Sequence, residues 1–416
     1  MFEGKLASLG YLEHVFSVSQ EEKFNEAKLN PGEMIAHVFQ EAKVIGPYSP
    51  LEKLKNMFTL FDSPQFHADM LTFDGAVKEA IALYKPDLFY VDGMPMPAVY
   101  YSGLPWVDSI SPNPLFHYEG TDLPPGGLGL SVEESDQDRS QWPALAEIRA
   151  AAFKSKSFND MIESAGYARY PNDSVPKNSI LTVYACPEEL NYGPLRALPW
   201  FNLEVFNLPK DGDRKPLTEL GVPQSFLSDN LGGRFSGHLI YASLGSMGSV
   251  DLDLMDRLLG ALSTSPHKYI VSTGPRHEQL LGGKPLPANM WGGPFLPQTS
   301  IIPNVEIVIT HGGNNSVTET FAAGKPMLCL PLFGDQFDNA QRLLETGYGR
   351  RIDPYKFTDE QLKEEVDRLL NDEALRKRCK AAAERLNSTD RHEQLAKLLE
   401  EKVLEKKKGN SNDQQL

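Results

Sequence analysis

The segment NVEIVITHGGNNSVTETFAAG, residues 304–324, constrains the fold more than any other part of the chain. Its apolar beginning predicts a buried strand that ends at Thr310. Two adjacent glycines follow, and the next residues predict a helix that begins near Asn315 or Ser316. A strand that passes through a glycine turn into a helix is the repeating unit of parallel α/β folds.

The same turn has the properties of an anion site. A helix start presents free backbone N–H groups and the positive end of the helix dipole. Gly312 and Gly313 would let the backbone approach a ligand closely, and His311 and Ser316 could donate to different oxygens. These features favour a diphosphate over a carboxylate. The alternative is that Asn315 or Ser316 only caps the helix and His311 is an ordinary turn histidine.

Residues on either side of the turn favour a nucleotide ligand. Glu319 lies about one helical turn after Ser316, where a carboxylate could bind both ribose hydroxyls, or could instead close a capping box. Phe295 and Gln298, ahead of the strand, offer an aromatic plane and an amide for a base. Asp335 and Gln336 follow the apolar run MLCL and suit sugar hydroxyls.

Strand and helix signals alternate along the whole chain, which predicts parallel α/β architecture. In the first half, a helix at 74–84 should lead into a buried strand at 85–92. Further strands are predicted at 103–111, 179–187 and 267–274. Residues 238–249 are predicted to be a strand that runs into a Gly/Ser turn, followed by a helix at 251–262. The Pro- and Gly-rich stretch 121–130 either shapes a pocket or merely connects elements.

Composition shifts divide the chain into two domains. We expect an N-terminal domain over 1–206, a charged, proline-punctuated linker at 207–224, and a second domain over 225–389. A helix at 390–404 and a polar tail at 405–416 should follow. The second domain reads as doubly wound, and in such sheets ligands bind at the carboxyl ends of the strands.

Charge and composition exclude several classes of function. The net charge is −15, with basic residues mixed among acids, so we expect no nucleic-acid partner. No run of about 18 apolar residues occurs and the N-terminus lacks a signal peptide, so we expect a cytoplasmic protein with no membrane span. The three cysteines are far apart and predict reduced thiols rather than a metal site.

The segment FLPQTSIIPNVEIVITHGGNNSVTETFAAGKPMLCLPLFGDQFDNAQRL, 295–343, resembles the donor-binding signature of the family 1 UDP-dependent glycosyltransferases. The resemblance implies the GT-B fold, in which two Rossmann-like, doubly wound domains face each other across a cleft. It implies a UDP-sugar co-substrate with no other cofactor and no metal. It also implies conjugation of natural products or xenobiotics, by inverting transfer of a hexose, with glucose favoured, to a hydroxyl of a small lipophilic acceptor.

The resemblance also implies a role for each signature residue. Phe295 stands where the family usually has a tryptophan stacked on uracil, Gln298 lies near the nucleoside, and Glu319 accepts from the ribose. Asp335 and Gln336 hold the transferred sugar. The residues placed at the diphosphate are Ser246, His311, Asn315 and Ser316, with Gly313 in the same turn. The C-terminal helix is expected to cross back to the N-terminal domain.

In the acceptor half, the resemblance implies that Asp92, in DLFYVDGMPMP, orients a catalytic histidine that removes the acceptor's proton. Asp92 could otherwise be a simple turn acid. The chain begins at the segment that follows the family's histidine-bearing unit, so the N-terminal domain is expected to be incomplete. His14, His37, His67 and His117 remain, and nothing around them marks a catalytic loop.

Two alternatives follow from the missing histidine and the fold. The chain could be a UDP-sugar-binding pseudoenzyme or a truncated isoform, because every expected donor contact lies in the second half. The weaker alternative is a UDP-sugar epimerase of the same fold.

Overall fold

The computed structural model describes residues 4, 6–14, 31–93, 96–133, 135, 139–153, 156–170, 178–207, 215–228 and 237–413. Side chains are described throughout these ranges except at 31–33, 151–157 and 405–413.

The N-terminal domain contains, in its described part, a sheet of four parallel strands. The strands lie side by side in chain order and are β1 (Phe89–Asp92), β2 (Trp106–Ile110), β3 (Leu181–Tyr184) and β4 (Trp200–Asn202). Strands β2 and β3 are central and almost fully buried, whereas β1 has alternating half-buried and exposed residues. That alternation is typical of a strand with one open face.

Seven helices accompany this sheet in the described ranges: α1 (Pro31–Glu41), α2 (Pro50–Phe61), α3 (Pro64–Tyr84), α4 (Pro97–Tyr101), α5 (Trp142–Phe153), α6 (Lys156–Ser164) and α7 (Gly193–Arg196). Short 3-10 turns cover Ala7–Leu9 and Pro114–His117. Local sequence sets several boundaries. Helix α2 begins at a capping box between Ser49 and Glu52, and Ser63 caps α3 ahead of a proline at the first helical position.

The C-terminal domain is a six-stranded parallel sheet in the order β10-β9-β8-β5-β6-β7. Its strands are β5 (Leu239–Ser243), β6 (Lys268–Ser272), β7 (Met290–Gly293), β8 (Ile307–Thr310), β9 (Met327–Cys329) and β10 (Gly349–Arg351). This is the doubly wound Rossmann order, in which the first and fourth strands of the domain are neighbours. The order reverses between those two strands, so the switch point lies between β5 and β8.

The helices of this half are α8 (Gln224–Ser228), α9 (Gly245–Gly248), α10 (Leu252–Ser263), α11 (His277–Leu281), α12 (Gln298–Ile301), α13 (Asn314–Ala322), α14 (Gln336–Thr346), α15 (Asp359–Asn371), α16 (Glu373–Asn387) and α17 (Arg391–Asp413). A 3-10 turn, Ile302–Asn304, precedes β8. Asp251 caps α10, and Thr358 forms a capping box with Gln361 at the start of α15.

The two domains share apolar cores. One buried cluster joins Phe39, Leu54 and Phe58 of the N-terminal helices to residues of the second domain that include Leu332 and Phe333. The Phe39 and Phe333 rings meet edge to face, with centroids 5.3 Å apart. A shared core of this kind fixes how the domains face each other, because sliding them apart would expose apolar surface.

The strand predictions were right in place but too long. The strand expected at 85–92 occupies only Phe89–Asp92, and it is not buried throughout because Tyr90 is 49% exposed on the open face of β1.

The Gly-rich stretch 121–130 is largely buried against the second domain. The N–H groups of Gly127 and Gly129 donate to the Asp338 carboxylate at 2.6 and 3.0 Å, so this stretch fastens the two domains together.

The C-terminal helix α17 packs on the N-terminal sheet. Leu395 belongs to a buried cluster with Val107, Leu181 and Val183 of β2 and β3. The backbone remains helical to Asp413, which is beyond the expected end at residue 404. No helix in the described ranges combines the length and the apolar character needed to cross a membrane.

Candidate functional site

The switch point of the C-terminal sheet opens into a cavity of about 300 Å³. Ser243, the last residue of β5, is in register with Thr310 of β8 and with Ser272 of β6, so the carboxyl ends of these strands form one edge. The cavity lies at this edge, beside α9 and α12. Ligands of doubly wound sheets bind at this position.

The turn after β8 has the geometry expected of an anion site. Helix α13 begins at Asn314 with Gly313 at its N-cap, and no side chain caps it. The helix therefore begins one residue before Asn315, near the expected start, and the alternative that Asn315 or Ser316 caps it is wrong. Because Gly312 has φ +82°, a side chain there would be strained. The first N–H groups of α13 are thus free of a capping side chain.

His311 is held in a glycine slot at the beginning of this turn. A Cβ atom on Gly245 would lie 2.7 Å from Cε1 of the imidazole, and one on Gly313 would lie 2.5 Å from Nε2. Nδ1 is buried and has no hydrogen-bond partner among the described residues. Burial lowers the pKa of His311 to about 4, and the Ser243 backbone acts in the opposite direction by a smaller amount. The ring is therefore neutral at physiological pH and carries one N–H to donate.

Glu319 lies at the cavity wall and is 9% exposed. Gln298 donates from Nε2 to Glu319 Oε2 at 2.8 Å, and Asn207 donates to Oε1 at 3.4 Å. Burial raises the pKa of Glu319, while these two amides lower it. Since the helix start lies at Gly313, the carboxylate is too far along α13 for the capping-box alternative.

Other predicted residues share the cavity with Glu319. Phe295, 61% exposed, and Ser246 both line it, as does Gln298. Ser316 lies beside it, since its Oγ accepts from Gln298 Nε2 at 3.2 Å. Asn315, the second residue of α13, is exposed.

The cavity also includes residues that the sequence did not single out: Tyr241, Ser243, Ser272, Gly274 and Thr299. Small polar residues at the carboxyl ends of β5 and β6 were the available signal, since these strand ends meet at the edge where a ligand binds. Serine and glycine are so common after strands that the signal is weak without the strand order.

Asp335 and Gln336 lie apart from these cavity-lining residues, at the boundary with the N-terminal domain. The Asp335 carboxylate accepts from the Asn113 backbone N–H at 2.8 Å, and burial raises its pKa to about 6. Gln336 is 3% exposed, and its Oε1 accepts from the backbone N–H groups of Leu332 and Phe333 at 2.9 and 3.3 Å. The side-chain amide oxygen of Gln336 therefore stabilises the turn at Leu332 and Phe333, just before α14.

Asp92 is exposed at the carboxyl end of β1, in register with Ser109 of β2. Three of the histidines considered as a catalytic base lie near acids other than Asp92. The distances are 3.9 Å from His14 to Glu79, 3.3 Å from His37 to Glu41 and 3.7 Å from His67 to Asp62. The described residues contain no group of three or more His, Cys, Asp or Glu side chains arranged for a metal ion.

Two facing Rossmann-like domains with a cavity at the C-terminal switch point define a GT-B protein. Solved glycosyltransferase structures share this fold. The glycotransferase of kitacinnamycin superposes with a TM-score of 0.60 at 17% identity, covering 83% of each chain. A UDP-glucose: anthocyanidin 3-O-glucosyltransferase in complex with UDP superposes with a TM-score of 0.54 at 20% identity, covering 87% of this chain and 84% of that one.

Residues 234–395 match the family model described as UDP-glucoronosyl and UDP-glucosyl transferase. The match lies in the C-terminal half and covers about two fifths of the chain, so this half is similar to that family. The chain is 37% identical over 110 residues to zeaxanthin glucosyltransferase of Pseudescherichia vulneris, covering 26% of each chain. It is 31% identical over 135 residues to human 2-hydroxyacylsphingosine 1-beta-galactosyltransferase, covering 32% of this chain and 24% of that relative. The similarity thus spans about a quarter of each relative's length.

Proposed function

We propose that this chain binds a UDP-sugar at the switch-point cavity and transfers the hexose, with glucose favoured, to a hydroxyl of a small lipophilic acceptor. The observation that supports it most is the cavity itself. An exposed aromatic ring, a buried carboxylate and the start of α9 at Gly245 and Ser246 line one opening at the end of β5. The uncapped start of α13 lies beside it, because Ser316 accepts a hydrogen bond from Gln298 in the cavity wall.

Each part of UDP has a matching group in this arrangement. Phe295 offers a ring face for uracil, and Glu319 can accept from the ribose hydroxyls once Gln298 turns toward the base. The diphosphate takes the free N–H groups at the start of α13, together with His311 and Ser316. A neutral His311 suits this role because it donates a hydrogen bond without adding a buried charge that would need compensation.

The transfer is a single displacement. The acceptor oxygen attacks the anomeric carbon, the bond from that carbon to the diphosphate breaks, and UDP leaves with the bonding electrons. The configuration at the anomeric carbon is therefore inverted. The α13 N–H groups stabilise the charge that develops on the departing diphosphate. Asp92 lies on the carboxyl edge of the N-terminal sheet. We assign it the role of orienting the general base that takes the proton from the acceptor hydroxyl.

The names of two relatives support a lipophilic acceptor and a hexose donor. One relative is named for glucosyl transfer to zeaxanthin, and the other for galactosyl transfer to 2-hydroxyacylsphingosine. Both acceptors are lipophilic molecules with hydroxyl groups. Glucose is favoured here by the adjacent Asp335 and Gln336, as the signature implies.

The second candidate is binding of UDP-sugar without transfer. It is favoured by the placement of His14, His37 and His67 within 4 Å of acids other than Asp92. Without a general base, transfer to a hydroxyl would lose roughly two to four orders of magnitude in rate.

Isothermal titration with UDP-glucose, run alongside a turnover assay with phenolic acceptors, separates these candidates. Binding together with formation of a glucoside supports the transferase. Binding without product supports the second candidate, and release of an epimerised sugar without any acceptor would indicate an epimerase. A chain that binds neither UDP nor UDP-glucose would contradict the proposal.

A further inference from the structure

Three asparagines are buried where the two domains meet. Asn113, Asn314 and Asn339 are 2%, 7% and 4% exposed. A buried primary amide is costly unless its donors and acceptor are bonded, so each of these side chains must have a specific set of partners. Their partners connect the N-terminal sheet to the turn after β8.

Asn113 follows β2 and contacts the second domain through two atoms. Its backbone N–H donates to Asp335 Oδ2 at 2.8 Å, and its side-chain Nδ2 donates to Asn339 Oδ1 at 2.7 Å. Its Oδ1 accepts from the Leu115 N–H at 2.9 Å, which fixes the rotamer that aims the amide across the boundary. One residue of the acceptor half thus contacts both Asp335, the N-cap of α14, and Asn339 within this helix.

Asn339 continues this chain of hydrogen bonds into the glycine turn. Its Nδ2 donates to the Gly312 carbonyl at 2.9 Å and lies 3.3 Å from Asp335 Oδ2. A Cβ atom on Gly312 would lie 3.2 Å from the Gln336 carbonyl, so the turn and the start of α14 are in close contact. The position of Asn339 therefore bears on the turn as well as on Asp335.

Asn314 makes a separate bridge at the first residue of α13. Its Nδ2 donates to the carbonyls of Ser111 and Ala185 at 2.9 and 3.0 Å. These two carbonyls follow β2 and β3, so the carboxyl edge of the N-terminal sheet is fastened to the helix start. Docking of the domains thereby sets the distance between that edge and the proposed diphosphate site.

We propose that the Asn113 side chain is a positioning group for the sugar of the donor, because it orients the Asn339 amide, which in turn bonds the Asp335 carboxylate. The bonds from Asn113 and Asn339 engage Oδ2, so these two partners leave Oδ1 to accept from a sugar hydroxyl. Asn339 positions both the Asp335 carboxylate, which faces the sugar, and the glycine turn after β8, which faces the diphosphate. The inference rests on the proposed function, because it requires a nucleotide-sugar in the cavity.

The test compares the dissociation constants of UDP and UDP-glucose by isothermal titration. Asn113→Ala keeps the backbone bond to Asp335 but removes the side-chain bond that orients Asn339, and it leaves Gly312 bonded. We expect UDP affinity to stay within about threefold of wild type, while UDP-glucose affinity falls about tenfold, the effect of one net hydrogen bond. Asn339→Ala should weaken both ligands, because the Gly312 carbonyl also loses its partner. The double variant should resemble Asn339→Ala alone.

Two further variants keep the test decisive. Asn113→Asp retains an oxygen for the Leu115 N–H but cannot donate to Asn339, so it should reproduce the selective loss if the alanine variant folds poorly. Asn202→Ala is the matched control. Asn202 is also a buried asparagine of the N-terminal domain, but its amide bonds Cys186 and Glu188 within that domain. It should lower the melting temperature and leave the ratio of the two dissociation constants unchanged.

The outcomes separate this inference from the proposed function. If wild type binds both ligands and Asn113→Ala changes neither, or weakens both equally, the positioning role is refuted while the proposed function stands. If wild type binds neither ligand, the proposed function fails and the inference fails with it.

Discussion

Gly313→Ala should weaken UDP binding by displacing His311. The new Cβ atom would lie 2.5 Å from Nε2 and 3.1 Å from Cε1 of the imidazole, whereas unstrained contacts lie near 3.5 Å. The backbone at Gly313 has φ −59°, which alanine adopts freely, so the cost falls on the ring rather than on the main chain. Overpacking of this kind costs about 1–3 kcal/mol. If that cost appears in binding, UDP affinity falls roughly 5- to 150-fold.

A double-mutant cycle with His311→Ala isolates this cause. Once the imidazole is gone, the methyl group that the Gly313→Ala substitution adds has room, so this substitution should weaken UDP binding little further in the His311→Ala background. Gly260→Ala is the matched control, because a Cβ atom there meets nothing within 4 Å. Isothermal titration of the four variants with UDP provides the measurement. An equal loss in both backgrounds would refute the steric reasoning, as would wild-type affinity in the single variant.

Three further predictions concern the base platform, the buried imidazole and the domain boundary. Phe295→Ala should weaken UDP binding by about 1–3 kcal/mol, and Phe295→Trp should strengthen it, which equilibrium dialysis with UDP can measure. His311 has its pKa lowered from 6.5 to about 4, so its contribution to stability is present above pH 6.5 and is lost as pH falls toward 4. Urea unfolding should therefore show wild type losing about 2 kcal/mol more than His311→Asn between pH 7.5 and pH 5, and equal losses would contradict this. Arg385→Ala removes bonds to Glu189 and to the buried Glu204, and should destabilise the protein by about 1–3 kcal/mol in thermal unfolding, a range reduced because Arg385 is partly exposed. An unchanged melting temperature would show that these ion pairs contribute nothing.

The parts of the fold that sequence could predict depend on local signals. The strand ending at Thr310 and the glycine turn after it were readable because apolar periodicity and glycine act over a few residues. The gathering of Phe295, Gln298 and Glu319 at one cavity followed from the signature, and the structure brings these three together.

Features that depend on docking of the domains were not readable. Asn113 bonds to Asp335 and Asn339, more than 220 residues away, and no local pattern marks such a pair. Lys53 is another example. It is 2% exposed and donates to the Leu332 carbonyl at 2.7 Å, and burial lowers its pKa to about 8, although the sequence around it reads as an ordinary amphipathic helix. Tertiary contacts of this kind appear only when both domains are in place.

The sequence also could not predict which atoms of each site residue are available to a ligand. Gln336 is expected to face the sugar, yet its Oε1 accepts from the N–H groups of Leu332 and Phe333. A polar residue after a strand gives the same sequence signal whether it binds a ligand or stabilises its own loop. Its Nε2 stays the group to test for a sugar contact. The role of Asp92 stays a prediction.

Titration of UDP into wild type, His311→Ala and Glu319→Ala tests the proposed grip on the nucleotide most directly. Each substitution removes a hydrogen bond to a charged or strongly polar group of the ligand. Each variant should therefore bind UDP at least about tenfold more weakly. Glu364→Ala, on the exposed face of α15, should bind UDP like wild type. Unchanged affinity in both the His311 and Glu319 variants would contradict the account.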